Sequence, residues 1–196
     1  RANVYPSKEF LARGRRDKYS TSCRHCPAEN ESCSHIIGNC PITQEARIKR
    51  HNYICGMLSE QAKKADWAVF QEPNIRDDNN ELYKPDLIFV KDDKAYVVDV
   101  TVRYEHSKKN LEIAAKEKAK KYQHLEKQIQ DLTNATKVSF FGFPVGARGK
   151  WYDKNFELLS ALGLSKSRQE KTARALARRA LFASVDIVHM FASKAR

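Results

Sequence analysis

The chain has 196 residues, with 36 lysines and arginines against 24 aspartates and glutamates, a net charge of +12 and 41% apolar side chains. This is material for one substantial domain and a small appendage, and no apolar run reaches the roughly eighteen residues of a membrane span. The positive excess points to a polyanionic partner, nucleic acid first and an anionic membrane surface second.

Five cysteines with metal-like spacing fit a reducing compartment better than a disulfide scaffold. The chain opens on Arg1 without a signal-peptide core, as a piece of a longer protein would. Residues 1–22 are polar, with Arg13, Arg15, Arg16 and Lys18 close together, and read as an extended basic arm. The segment 23–40, CRHCPAENESCSHIIGNC, places Cys23, Cys26, His35 and Cys40 in a C-x2-C-x8-H-x4-C spacing. Thiolates and an imidazole suit tetrahedral zinc, and a segment this polar needs a staple to fold. His25 and Cys33 are spare donors, so the ligand set can differ by one, and Gly38 can ease a turn before the last ligand.

The spacing then predicts a helix over 43–64 with Ile48, His51, Cys55, Leu58, Ala62 and Ala65 on its apolar face and Arg47, Lys49 and Arg50 largely elsewhere. His51 on the apolar face reads as a satisfied core histidine more readily than as a ligand. A short strand over 67–71 ends at Glu72, which is either a third carboxylate near a metal or a surface residue, and 73–82 reads as a polar loop. Residues 83–102, YKPDLIFVKDDKAYVVDVTV, are two apolar runs around KDDK, the pattern of a tight hairpin. Asp86 and Asp99 interrupt these runs, and closure at 91–94 brings them to the same end of neighbouring strands. A buried aspartate needs a partner, and two together suit a hard cation such as Mg²⁺ or Mn²⁺; a turn cap and a lysine contact are the plainer alternative.

A second helix is predicted over 107–132, burying Leu111, Ala115, Tyr122, Leu125, Ile129 and Leu132, with Lys118 on the same stripe. A strand over 137–143 ends at Pro144, and the following VGARGKW is a basic loop whose Gly146 and Gly149 would let backbone approach phosphates. A short helix over 155–162 stops at Gly163, and a last helix from 165 onward carries Arg168, Lys171, Arg174 and Arg178 opposite Leu176 and Ala180. Residues 165–196 hold eight basic and two acidic side chains, six of the twelve net charges.

The series of the cysteine–histidine cluster, ITQEARIKRH, WAVFQEP, KPDLI, VVDVTV, EKAKKY and GARGKW, in that order, resembles the restriction-like endonuclease domain of site-specific non-LTR retrotransposons. The hairpin resembles the PD-(D/E)xK nuclease motif, with Asp99 thirteen positions beyond Asp86. The lysine usual two residues after the second acid is absent, since Thr101 stands there; EKAKKY is similar to the helix motif that supplies it instead, which implies Lys118 or Lys121, with Tyr122 beside them. The resemblance implies an α/β fold, a restriction-endonuclease-like core with a mixed sheet flanked by helices over 42–196, after an arm and zinc knuckle over 1–41. It implies structural zinc, catalytic Mg²⁺ or Mn²⁺ on Asp86 and Asp99, and a nuclear endonuclease. That enzyme nicks double-stranded target DNA so that the freed 3′-hydroxyl primes reverse transcription by an upstream region of the same polypeptide, with element RNA as a further partner. The knuckle would help hold DNA or orient the nuclease. Candidate DNA contacts are Arg47, Arg50, His51, Arg148, Lys150, Arg174 and Arg178. The alternative is a catalytically silent module that positions target DNA or element RNA.

Overall fold

The computed structural model describes residues 5–194 apart from positions 16 and 108, so Arg1 and Arg16 lie outside the described residues. From the N-terminus, α1 (Lys8–Leu11) and α2 (Cys33–Gly38) precede the long α3 (Gln44–Lys63). β1 (Ala68–Gln71) leads through a small hairpin, β2 (Ile75–Arg76) and β3 (Leu82–Tyr83), into the central β4 (Leu87–Lys91) and β5 (Lys94–Arg103). After α4 (Asn110–Lys121), α5 (Glu126–Thr133) and β6 (Lys137–Gly146), the chain ends in α6 (Asn155–Ala161) and α7 (Lys166–Ser193).

β4 and β5 form the expected hairpin, with Lys91 opposite Lys94 and Leu87 opposite Val98. Asp92 turns it in the left-handed region, φ 50°, a conformation aspartate tolerates better than most residues. β1 pairs antiparallel with β4, and β6 lies parallel to β5, in the order β1-β4-β5-β6. A parallel neighbour requires a crossover connection, which α4 and α5 provide. The result is a mixed sheet flanked by helices on both faces.

Side-chain alternation assigns the faces. Leu87, Phe89, Tyr96, Val98 and Val100 pack with Ile54, Leu58 and Ala62 of α3, with Leu158 and Leu159 of α6, and with Leu176 and Ala180 of α7. Ile88, Ala95 and Val97 point the other way, onto Tyr122, Leu125 and Ile129. A third cluster joins Ile36 and Ile37 of α2 to Ile187 and Phe191 of α7, so the segments expected as 1–41 and 42–196 share apolar packing. No helix among the described residues is long and apolar enough to cross a membrane.

Several elements depart from expectation. The arm is not simply extended: α1 forms, Ser7 caps it, and Ala12 is fully buried. The loop over 73–82 contains the β2–β3 hairpin. The predicted face of α3 is displaced: Ile48 is 50% exposed, whereas Ile54 is fully buried, because this helix packs on α7 as well as on the sheet. The helix over 107–132 breaks after Lys121, where a 3₁₀ turn over Gln123–Leu125 separates α4 from α5. Tyr122 sits at that break with its ring buried, and the redirected α5 leaves Leu132 exposed. β6 runs on through Pro144 to Gly146, since it is an edge strand, where proline's missing donor costs least.

Candidate functional site

The N-terminal cluster is built by α2 and the loop before it. Cys23 Sγ lies 3.9 Å from Cys40 Sγ, Cys40 Sγ 4.0 Å from Cys26 Sγ, and Cys26 Sγ 3.3 Å from His35 Nε2. In a tetrahedral zinc site with zinc–sulfur bonds near 2.3 Å, sulfurs stand about 3.8 Å apart, so these donors are set for zinc. Burial and the neighbouring thiols push the Cys40 thiol up to about 12, so a thiolate there calls for a cation among the sulfurs. The spare donors fall outside the set. His25 Nε2 meets the Phe191 carbonyl at 3.1 Å, and the donors that converge here among the described residues are Cys23, Cys26, His35 and Cys40. Gly38 ends α2 with an ordinary φ and open space at its Cβ, so no tight turn requires it.

Two buried acids that sequence reasoning passed over hold this end of the molecule together. Glu31 is fully buried and accepts from Arg24 Nη2 at 2.6 Å, Arg24 Nε at 2.8 Å and the Lys8 backbone N–H at 3.0 Å. Burial acts to raise its carboxyl, but the Arg24 fork and the backbone donors outweigh it and hold the group below its ordinary value. Glu105, just past β5, accepts from the Arg148 and Lys150 backbone N–H groups and from Arg148 Nε at 3.2 Å. Gly146 makes room for it, since a Cβ there would run into the Glu105 carboxylate. Neither acid belongs to a motif, and no local pattern marks them.

The second cluster lies where β4 begins. Because Leu87 pairs with Val98, Asp86 and Asp99 end up neighbours, as the hairpin reading expects. Asp86 Oδ2 accepts from the Val100 N–H at 2.6 Å and lies 3.1 Å from His51 Nε2 of α3. Asp99 is 2% exposed on the α4 side of the sheet. Its Oδ1 accepts from Lys118 Nζ at 2.8 Å, and Lys121 Nζ stands 3.8 Å from Oδ2. Asp99 Oδ2 is buried without a hydrogen-bond partner, a costly state that a bound cation would relieve.

Gly142 explains how Lys118 arrives. It sits opposite Asp99 on β6, and a Cβ there would overlap the Ala115 backbone. α4 therefore rests directly on β6, and Lys118 follows one turn after Ala115. Burial and the Asp86 carboxylate push Asp99 up to about 6 against the pull of Lys118. At Asp86 burial also acts upward, but His51 and the Val100 N–H outweigh it and lower the carboxyl. The same contact, with a smaller one from Cys55, raises His51 to about 11.

The remaining candidates divide. Lys121 Nζ donates to Tyr122 Oη at 2.8 Å, and that hydroxyl donates to the Lys84 carbonyl at 2.9 Å. Glu72 holds a left-handed φ of 46°, its N–H reaching the Asp86 carbonyl, while its side chain pairs with Lys84 at 3.3 Å rather than with the acids. Arg47 donates to the Gly38 and Cys40 carbonyls beside the groove. Arg50 takes a different place from a DNA contact: it is 4% exposed and bonds Ser184 Oγ and the Ile37 carbonyl, tying α2, α3 and α7 together. Arg148 is spent on Glu105 and stacks 4.3 Å over Tyr104, and Lys150 holds that loop through its backbone. Gly149, φ 76°, packs against the Ala177 backbone, so these loop glycines serve internal packing. Arg174 and Arg178 are exposed on α7, the first beside Glu170 at 3.6 Å and the second over Phe182 at 5.1 Å.

An open groove of about 510 Å³ includes Asp86, Asp99, His51, Lys118, Lys121 and Arg47 in its walls. A neighbouring trough of about 490 Å³ shares Arg47, Gly38 and Thr101 with it and continues past Ser34 of α2. The carboxylates thus open onto a basic trench that runs towards the cysteine–histidine cluster.

No family model matches the chain. It is similar to proteins described as "Retrovirus-related Pol polyprotein from type-1 retrotransposable element R2". With one from Popillia japonica it is 31% identical over 169 residues, 85% of this chain and 34% of that protein. With one from Bradysia coprophila it is 28% identical over 168 residues, 84% of this chain and 19% of the relative. With one from Nasonia vitripennis it is 24% identical over 173 residues, 85% and 16% respectively. The chain spans about a third or less of the length of these curated relatives. Its homologues are Pol polyproteins of R2 retrotransposable elements, at 24–38% identity, and Cys23, Cys26, His35 and Cys40 form a set that can bind zinc.

Proposed function

We propose that the chain is the nuclease part of a retrotransposon Pol protein. In this reading it is a metal-dependent DNA endonuclease with a restriction-endonuclease-like core, and it nicks duplex target DNA in the nucleus. The freed 3′-hydroxyl then primes reverse transcription by a linked upstream region, with element RNA as the template. The observation that carries this reading is the meeting of Asp86, Asp99 and Lys118 at one end of the central hairpin, with one Asp99 oxygen buried and without a hydrogen-bond partner.

Asp86 and Asp99 are hard oxygen donors and would hold Mg²⁺ or Mn²⁺. When bound, such an ion polarises a phosphoryl oxygen and lowers the pKa of a coordinated water. The protein's own groups do the rest. His51 and the Val100 N–H fix the Asp86 carboxylate in orientation. Lys118 places an ammonium at the carboxylates, where negative charge builds on the scissile phosphate in the transition state, and it fills from α4 the role for which position 101 has only threonine. Lys121 and the buried Tyr122 brace that end of α4 against Lys84. Arg47 and Lys121 in the trench walls favour a polyanion without reading its sequence.

The test is cleavage of supercoiled and linear duplex DNA by the purified chain in Mg²⁺ or Mn²⁺. Nicks with a 3′-hydroxyl, abolished by chelation, are expected. A chain that binds duplex but leaves it intact in both metals would replace this reading with the silent DNA- or RNA-positioning module.

A further inference from the structure

One donor beside the carboxylates has no part in that chemistry. His51 and Cys55 stand four residues apart on α3, hence on one face of the helix, and both line a groove of about 330 Å³ with Asp86, Gln71 and Glu72. The ligating atoms of His51, Cys55 and Asp86 lie within 4.8 Å of one another. His51 Nε2 is 3.1 Å from Asp86 Oδ2 and 3.8 Å from Cys55 Sγ. In tetrahedral zinc, nitrogen and oxygen ligands stand about 3.3 Å apart and nitrogen and sulfur about 3.6 Å, so small shifts bring these atoms into a coordination shell.

We propose that His51, Cys55 and Asp86 form a second site, distinct from the cysteine–histidine cluster, for a thiophilic divalent ion of the zinc type. A thiolate ligand selects such an ion over Mg²⁺. Three protein donors leave the fourth position to water from the groove, the pattern of an exchangeable rather than a closed site. Binding releases two protons to solvent, the one His51 Nε2 shares with Asp86 and the one on the Cys55 thiol. Occupation also takes Asp86 from Asp99, so zinc at this site would inhibit cleavage in Mg²⁺. That consequence rests on the nuclease reading, whereas the site does not.

The test is metal content of the whole chain, followed by Co²⁺ titration and cleavage with added zinc. Equilibrated with a slight excess of zinc, wild type is expected to hold about two zinc ions, as two separate donor sets require, and Cys55→Ala about one, the retained cluster zinc certifying the fold. The second equivalent of Co²⁺ should bring its own sulfur-to-cobalt absorption in wild type, which decides the matter even where Cys55→Ala fails to fold. One zinc in wild type, a second cobalt without a sulfur band, or two zinc ions in a folded Cys55→Ala would overturn the site. A chain that takes a second zinc but never cuts DNA in Mg²⁺, even after that zinc is stripped by mild chelation, keeps the site and removes the nuclease reading. One that cuts with a single zinc removes only the site.

Discussion

The two polar clusters of this molecule are finished in opposite ways. Cys23, Cys26, His35 and Cys40 close on one another inside an apolar cluster, with Cys40 fully buried and α2 clamped to α7 by Ile36, Ile37, Ile187 and Phe191. Asp86, Asp99 and Lys118 face an open trench, and a buried carboxylate oxygen is left without a hydrogen-bond partner. A four-donor set with nothing left over suits a staple; a set with a free oxygen and access to solvent suits chemistry on something that comes and goes. Soft donors gather where α2 closes on α7, and the paired carboxylates sit where the sheet opens onto the trench. α7 serves both, since Leu176 and Ala180 pack under the sheet while Ile187 and Phe191 pack under α2.

The largest effect should come from breaking the closed cluster. Replacing Cys23 and Cys26 with serine removes a contribution that in isolated zinc-finger peptides reaches about 10–16 kcal/mol. The expected result is loss of the cluster zinc, a lower melting temperature and rapid proteolysis within residues 5–40; a zinc-free chain melting like wild type would make the cluster incidental. Next comes the open cluster. Lys118→Ala should slow cleavage by roughly two orders of magnitude or more. Lys116→Ala should not, because Lys116 is 73% exposed and pairs with Glu112 on the surface. Equal rates in single-turnover assays of the two variants would remove Lys118 from the site.

Gly142→Ala sharpens the comparison from the packing side. The methyl group must push α4 off β6, which should cost about 1–3 kcal/mol in urea unfolding and carry Lys118 away from Asp99, while leaving the cluster zinc in place. Unchanged stability together with full cleavage would mean that α4 accommodates the methyl freely. The smallest effect is expected at Arg174 and Arg178. Replacing both with alanine should lower the salt dependence of duplex binding by roughly 0.9 in log–log slope per lost phosphate contact. An identical slope would return these exposed arginines to solvent.

The closed cluster was legible because its ligands lie within eighteen consecutive residues, so spacing alone carries the geometry. Half of the open cluster was legible for a related reason: a two-residue turn at 92–93 makes Asp86 and Asp99 neighbours by simple counting. Lys118 could be placed on a stripe with Tyr122, but its contact with Asp99 depends on Gly142 lying under Ala115, a fact of tertiary packing. The His51–Asp86 contact spans 35 residues and joins a helix to a strand end, so no local pattern announces it. Arg50 shows the reverse error. Its basic neighbours suggested a surface, yet Ser184, 134 residues away, pairs with it in the interior.

In the proposed function the carboxylate pair, and not the basic surface alone, is the seat of cleavage. The most direct measurement is Mg²⁺-dependent nicking by wild type, Asp86→Ala and Asp99→Ala, with duplex affinity and zinc content measured on the same preparations. Wild type should cut, neither variant should, and all three should retain DNA binding and the cluster zinc. Variants that cut at the wild-type rate, or a folded wild type that cuts in no divalent metal, would contradict it.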